Sequence, residues 1–92
     1  MQFEWDQRKA AANLRKHGVA FTDAITAFSD PLARIFSDPD HSEVEERELL
    51  VGYDSATRLL YVSFVERHGN VRIISARRAT ARETSSHEKY LK

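Results

Sequence analysis

The chain reads as a single α+β domain spanning residues 1–92: a curved antiparallel sheet with two N-terminal helices and a C-terminal helix, the helices gathered on one face. Three observations predict this. Two helical patterns come first, four β-rich runs joined by hairpin-length loops follow, and the segment after Arg78 returns to helix formers. Hairpin-linked strands with segregated helices belong to α+β folds rather than to alternating parallel ones. A chain of 92 residues makes one small core, burying roughly 60–65% of the surface its unfolded form exposes.

Each element has a local reason. Gln2 to Trp5 alternates polar and aromatic residues, the period of a short strand. Asp6 is placed to cap the helix that follows, QRKAAANLRKH is rich in helix formers, and Gly18 is a natural left-handed stop. Phe21, Ala24, Ile25 and Phe28 repeat at helical spacing and predict a second helix, with Thr22 as its cap. Asp30-Pro31 ends it, because a residue before proline avoids the helical region. Ala33 to Phe36 is a short strand and DPDHSE, Asp38 to Glu43, a polar loop. Arg47 to Tyr53, Leu59 to Glu66 and Val71 to Ala76 are three β-rich runs. Asp54 to Thr57 and Arg67 to Asn70 join them as hairpin loops. Leu59 to Val65 is apolar on both parities, which predicts a central strand covered on both faces. Thr80 followed by Glu83 fits a capping box for the last helix. Phe21, Ile25, Phe28, Leu60, Val62 and Ile73 or Ile74 form the expected core.

Composition excludes several function classes. There is no cysteine, so disulfides, thiolate zinc sites and a catalytic thiol are absent. No apolar run approaches the ~20 residues of a membrane span, and MQFEWDQRK lacks the basic-then-apolar pattern of a secretory leader. The expected setting is cytoplasmic, with no membrane partner. Net charge is zero, but unevenly distributed. Residues 1–20 carry four Lys or Arg against two acids, residues 21–66 three against ten, and residues 67–92 seven against two. If the ends meet, one face is cationic and attracts polyanions.

Familiar catalytic motifs are missing. Asp38, Asp40 and Ser42 mimic the start of a calcium loop, but Glu43 stands where glycine is needed and Leu49 where the last carboxylate belongs. The histidines at 17, 41, 68 and 87 include no pair at helical ligand spacing, and no Gly-rich phosphate loop or nucleophile elbow occurs. No metal and no cofactor are expected. Cations at structured positions remain. Arg72, Arg77 and Arg78 lie on or just after the last strand, Arg47 opens an earlier one, and Lys9 and Lys16 sit on one side of the first helix beside His17. A planar guanidinium held by a strand end matches a phosphate bidentately. Strict alternation puts Arg72 with Ile74 and Ala76, and Arg77 with Val71, Ile73 and Ser75. On the residues alone two readings stand: arginines that clamp phosphate, or arginines paired with nearby acids in a module whose acidic middle holds a basic partner without catalysis. A duplex-DNA reader is disfavoured by the zero net charge and the missing helix-turn-helix.

FEWD (Phe3 to Asp6), Lys9, Asn13 and KHGVAF (Lys16 to Phe21), followed by Ala24, Phe28 and Asp30, resemble the opening of the BrnT family. Arg47 with Gly52 resembles its middle, and RIISARRA (Arg72 to Ala79) with Glu83 its closing signature. The resemblance implies a RelE-like toxin domain that cleaves RNA without a metal. It also implies a BrnA-type ribbon-helix-helix antitoxin as partner, with operator DNA touched only through that antitoxin. On this footing Arg77, Arg47 and Arg78 are the expected phosphate clamp and His17 the expected proton carrier, since imidazole ordinarily titrates near ~6.5. Lys9, Lys16 and Arg72 would hold flanking phosphates, and Trp5 would stack a base. In one place the chain departs from the family pattern, Glu-Arg-x-x-Tyr in the last helix. Thr84 follows Glu83, and His87 holds the tyrosine position, with Tyr90 one turn further. Glu83, His87 and Tyr90 are the expected tail participants.

Overall fold

The computed structural model describes residues 2–38 and 46–91; most of the DPDHSE loop lies outside them, as do the acids at 43 and 45. The order is β1 (Gln2–Glu4), α1 (Gln7–His17), α2 (Phe21–Ala24), a 3₁₀-helix (Ile25–Ser29), β2 (Arg34–Ser37), β3 (Glu48–Tyr53), β4 (Leu59–Arg67), β5 (Asn70–Arg78) and α3 (Ala81–Tyr90). The strands form one open sheet in the order β1-β5-β4-β3-β2.

Antiparallel pairing holds from β2 through β5, as hairpin links require. It fails at β1, which pairs parallel with β5 through Phe3 opposite Val71. The sheet is therefore mixed rather than wholly antiparallel. A hairpin dictates direction only between neighbours in sequence, and nearly the whole chain separates β1 from β5.

Local signals explain the helix ends. The Asp6 carboxylate accepts the N–H groups of Arg8 and Lys9 at 2.7 and 3.2 Å, which hold its pKa below the usual range. Gly18 stops α1 at φ +70°, a conformation that costs glycine little. The second helix departs from expectation. It makes one α turn and tightens into the 3₁₀-helix, and its cap is Ala20, without a side-chain bond, rather than Thr22. The tight turn passes close over β3, where a Cβ on Gly52 would lie 3.1 Å from the Ala27 carbonyl oxygen. At the β4–β5 hairpin, His68 and Gly69 both have positive φ, the geometry of a two-residue turn that follows the strand twist.

The core lies between α1, α2 and one face of the sheet: Val19, Phe21, Ala24 and Ala27 meet Leu50, Leu60, Val62, Phe64, Val71, Ile73 and Ala76. Phe28 bridges Phe3 and Phe64 edge-to-face at 5.0 and 5.1 Å. Truncating the buried Phe21 to Ala should cost roughly 3–5 kcal/mol. Ile25 and Phe28 are only half-buried, at the rim of this core.

Two features correct the expected arrangement. α3 lies on the face opposite α1: His87 packs edge-on against Tyr53 at 5.7 Å and the Tyr90 ring lies under the Arg34 guanidinium at 4.2 Å. Tyr53 and Arg34 both point away from the core, so helices cover both faces. The second feature is a β-bulge. Ser63 pairs with Ser75 but Phe64 pairs with Ile73, leaving Ile74 as an extra residue in β5. Alternation flips there. Ala76 joins Val71 and Ile73 in the core, and Arg77 moves to the opposite face with Ser75.

Candidate functional site

The face opposite α1 is only partly covered by α3, and the remainder forms a cleft of about 300 Å³. Its floor is cross-strand pairs: Arg77 opposite Tyr61, Ser75 opposite Ser63, and Leu49 beyond Ser63. Arg47 and Asp38 close one side, joined at the backbone by the Asp38 N–H donating to the Arg47 carbonyl at 2.9 Å. His17, the last residue of α1, completes the wall. β4 is the central strand as expected, and on this face too Leu59, Ser63 and Val65 are buried, while Tyr61 and Ser63 line the cleft.

Arg77 is the most constrained cation in the cleft. Its Nη1 and Nη2 donate to the two Glu83 oxygens at 2.8 and 3.0 Å, and its guanidinium lies over the Tyr61 ring at 4.6 Å. Glu83 is fixed in turn. It is the third residue of α3, and its carboxylate accepts the Thr80 N–H at 2.8 Å while the Thr80 hydroxyl accepts the Glu83 N–H at 3.1 Å, so the expected capping box is formed. The Arg77 bonds, chiefly, push the Glu83 carboxyl down to about 2 and raise Arg77 in step. Burial raises the Tyr61 phenol, and the Glu83 charge adds to it. Tyr61 thus keeps its proton at neutral pH. The Ser63 hydroxyl is buried without a hydrogen-bond partner among the described residues.

The expected site residues divide. Arg77, Arg47 and His17 line one cleft, and Glu83 reaches it through Arg77. Arg78 does not: it lines a different recess, with Tyr53, Arg58 and Thr84. Arg72 shares the sheet face but pairs with Glu4 at 3.5 Å near the β1 edge. Lys9 and Lys16 are exposed on α1, outside the cleft lining. Trp5 is half-buried against the core, edge-on to Phe21 at 6.0 Å, on the other side of the sheet. His87 is fully buried on the inner side of α3, against Tyr53, and Tyr90 is exposed against Arg34; both hold the helix down and neither lines the cleft. Tyr61, Ser63, Ser75 and Asp38 are additional cleft residues. The signal for two of them was present: Tyr61 and Ser63 put polar atoms at alternate positions of a run that is otherwise apolar.

Among the described residues no group of three or more His, Asp or Glu could hold a metal ion. None of their helices is long and apolar enough to cross a membrane. The arrangement is a small polar cleft with two guanidinium groups, the Asp38 carboxylate, one phenol and one imidazole, with Glu83 paired to Arg77, and its guanidinium N–H groups are the donors an anion would meet.

Similarity to known proteins agrees with that chemistry. The sequence profile described as "Ribonuclease toxin, BrnT, of type II toxin-antitoxin system" matches residues 5–83. The fold is similar to the 1.1 Å crystal structure of the Brucella abortus ribonuclease toxin BrnT, with a TM-score of 0.69 and 25% identity over 87% of this chain and 97% of that one. No curated protein sequence matches. The matched span runs from the Trp5 strand end to Glu83, the partner of Arg77, and so takes in His17, Arg47 and every strand that builds the cleft. The chain belongs to the BrnT family of ribonuclease toxins of type II toxin–antitoxin systems.

Proposed function

We propose that the cleft cleaves RNA without a metal ion, by attack of a ribose 2′-oxygen on the adjacent phosphorus. The observation that carries this reading is the Arg77–Glu83 fork: a guanidinium preorganised on a strand, in one cleft with Arg47, His17 and Tyr61. Arg77 and Arg47 supply the positive charge that a pentacovalent phosphate needs. Preorganised donors of this kind are typically worth ~3–4 kcal/mol each in the transition state.

The proton steps balance as follows. The 2′-hydroxyl gives its proton to a base as the O2′–P bond forms, and the P–O5′ bond breaks with a proton delivered to the leaving oxygen. The products are a 2′,3′-cyclic phosphate and a 5′-hydroxyl. His17 is the base in this scheme. Tyr61, whose phenol stays protonated at neutral pH, is the acid. Lys9, Lys16 and Arg72 hold flanking phosphates from outside the cleft, a positioning role that reads no sequence. Arg78 and Trp5 stand apart from the reacting atoms. His87 and Tyr90 act only by seating α3, and with it Glu83.

A type II toxin implies an antitoxin. The proposed partner is of the BrnA ribbon-helix-helix type, acting in the cytoplasm, covering the cleft and carrying the operator-DNA contact itself. Glu46 and Glu48 line a recess beside Arg47 and offer a surface of opposite sign for a basic partner segment. The test is incubation of the purified protein with RNA in excess EDTA, followed by analysis of the ends. Cyclic phosphate and 5′-hydroxyl ends support the scheme. Cleavage that stops in EDTA and returns with a divalent ion refutes it.

A further inference from the structure

The cleft is assembled from two elements that no hairpin joins: α1 brings His17 and β5 brings Arg77. Their separation must be set by a contact between α1 and β5, and the structure contains one of unusual specificity. Asn13 is only 6% exposed. Its Oδ1 accepts the Ala76 N–H at 3.0 Å, and its Nδ2 donates to the Ala76 carbonyl at 2.8 Å and to the Val19 carbonyl at 2.9 Å. Both amide hydrogens are used and the amide oxygen accepts one bond, three of the four the side chain can make, so it has one orientation.

The edge of β5 explains why such a clamp is needed. β1 covers that edge only through Glu4 opposite Arg72. Beyond it, the Ala76 N–H and C=O would be buried without partners, which a folded backbone tolerates poorly. Asn13 pairs with them as a neighbouring strand would. The two clamped residues are next to the chemistry: Ala76 precedes Arg77, and His17 follows Asn13 by one helical turn on the same side of α1. The bond to Val19 also fixes the chain just after Gly18, at the end of the turn that carries His17.

We infer that Asn13 is a positioning residue for the reaction: its amide sets the distance between the His17 imidazole and the Arg77 guanidinium. This rests on the ribonuclease reading of the same cleft. Two groups that must act on one phosphate lose rate steeply when displaced, by about 100-fold for 1 Å. Asp at this position would turn an oxygen toward two carbonyls, and Ala would leave Ala76 unpaired.

The experiment compares Asn13→Ala and Asn13→Asp with wild type, at a temperature well below each melting point. The expected result is a kcat lowered about 10- to 100-fold with KM little changed, and a pH–rate profile whose His17-dependent limb is displaced. In a His17→Ala background, Asn13→Ala should lower kcat further by less than about 3-fold, because residues acting as a unit are not additive. A folded Asn13→Ala enzyme with wild-type kcat and pH profile overturns the inference, as does full additivity with His17→Ala. If neither variant folds, amide hydrogen exchange in the wild type decides: an Ala76 N–H that exchanges as fast as an open-edge amide overturns the clamp, and strong protection supports it. If wild-type protein cleaves no RNA, the ribonuclease reading fails separately. The clamp is then judged by NMR, where Asn13→Ala should shift both the His17 ring and the Arg77 Nε resonances; unmoved resonances overturn it.

Discussion

Glu83→Gln isolates the ion pair that holds Arg77 in the cleft. Glutamine keeps the shape of glutamate and can still accept the Thr80 N–H, so the capping box survives while the charge is lost. Lowering the carboxyl from 4.5 to about 2 corresponds to about 3 kcal/mol of gross interaction. The Glu83 and Arg77 side chains are 26% and 41% exposed, and solvent screening at that exposure leaves about 1–2 kcal/mol. For a domain of this size that lowers the melting temperature by about 5–12 °C. The sign follows from the direction of the shift. A carboxylate depressed in the folded state stabilises it above its unfolded pKa, and the contribution fades as pH falls from 4.5 toward about 2. Melting curves of wild type and Glu83→Gln should therefore differ at pH 7 and converge near the acid end of that window. RNA cleavage should fall about 10-fold, because Arg77 is no longer preorganised. Equal melting temperatures at pH 7, or a gap that persists undiminished at pH 2, would refute the assignment of the pair.

Arg77→Ala should lower kcat about 100- to 1,000-fold and lower the melting temperature at least as much as Glu83→Gln, because it breaks the same ion pair, and Arg77→Lys should not restore the activity, since an ammonium cannot make the two-pronged contact; thermal melts alongside the cleavage assay, run below each melting point, separate activity from stability. Tyr61→Phe keeps the ring under Arg77 and removes only the phenol, so kcat at neutral pH should drop about 100-fold with KM nearly constant; an unchanged kcat removes Tyr61 from the proton path. His87 is buried with neither ring nitrogen bonded among the described residues, and burial, with Arg34 nearby, lowers its pKa against weaker opposition from Asp30 and Glu88. The unfolded chain then binds the proton more readily, so stability should decline as pH falls below 6.5, and His87→Phe should flatten that part of a urea-melt pH series.

Much of the fold was legible because local chemistry agreed with it. Asp6, Gly18 and the Thr80–Glu83 box mark helix ends by hydrogen bonds that each residue makes with its own neighbourhood, so tertiary packing had little to override. The four hairpin-linked strands were legible for the same reason. The failures share a different origin. The parallel pairing of β1 depends on a partner nearly seventy residues away, and no short-range pattern encodes it. The shortened second helix reflects the close pass over Gly52, where the 3₁₀ turn crosses β3. The side of the sheet chosen by α3 depends on His87 finding Tyr53, an aromatic contact between distant segments.

The site was legible as a list of cations and not as a geometry, and Ile74 shows why. Strict alternation sends Arg77 to the face of Val71 and Ile73, which is the core, where a guanidinium has no water and no counter-ion. One extra residue in β5 reverses the parity. Ala76 then fills the core position, and Arg77 emerges opposite Tyr61, where α3 can lay Glu83 across it. The bulge also places Ala76 where its outward N–H and C=O meet Asn13 on α1. A single irregularity in one strand thus aligns the guanidinium with its counter-ion on α3 and with the helix that carries His17. Two-residue periodicity is a rule about unbroken ladders, and Arg77 lies three residues beyond the extra one.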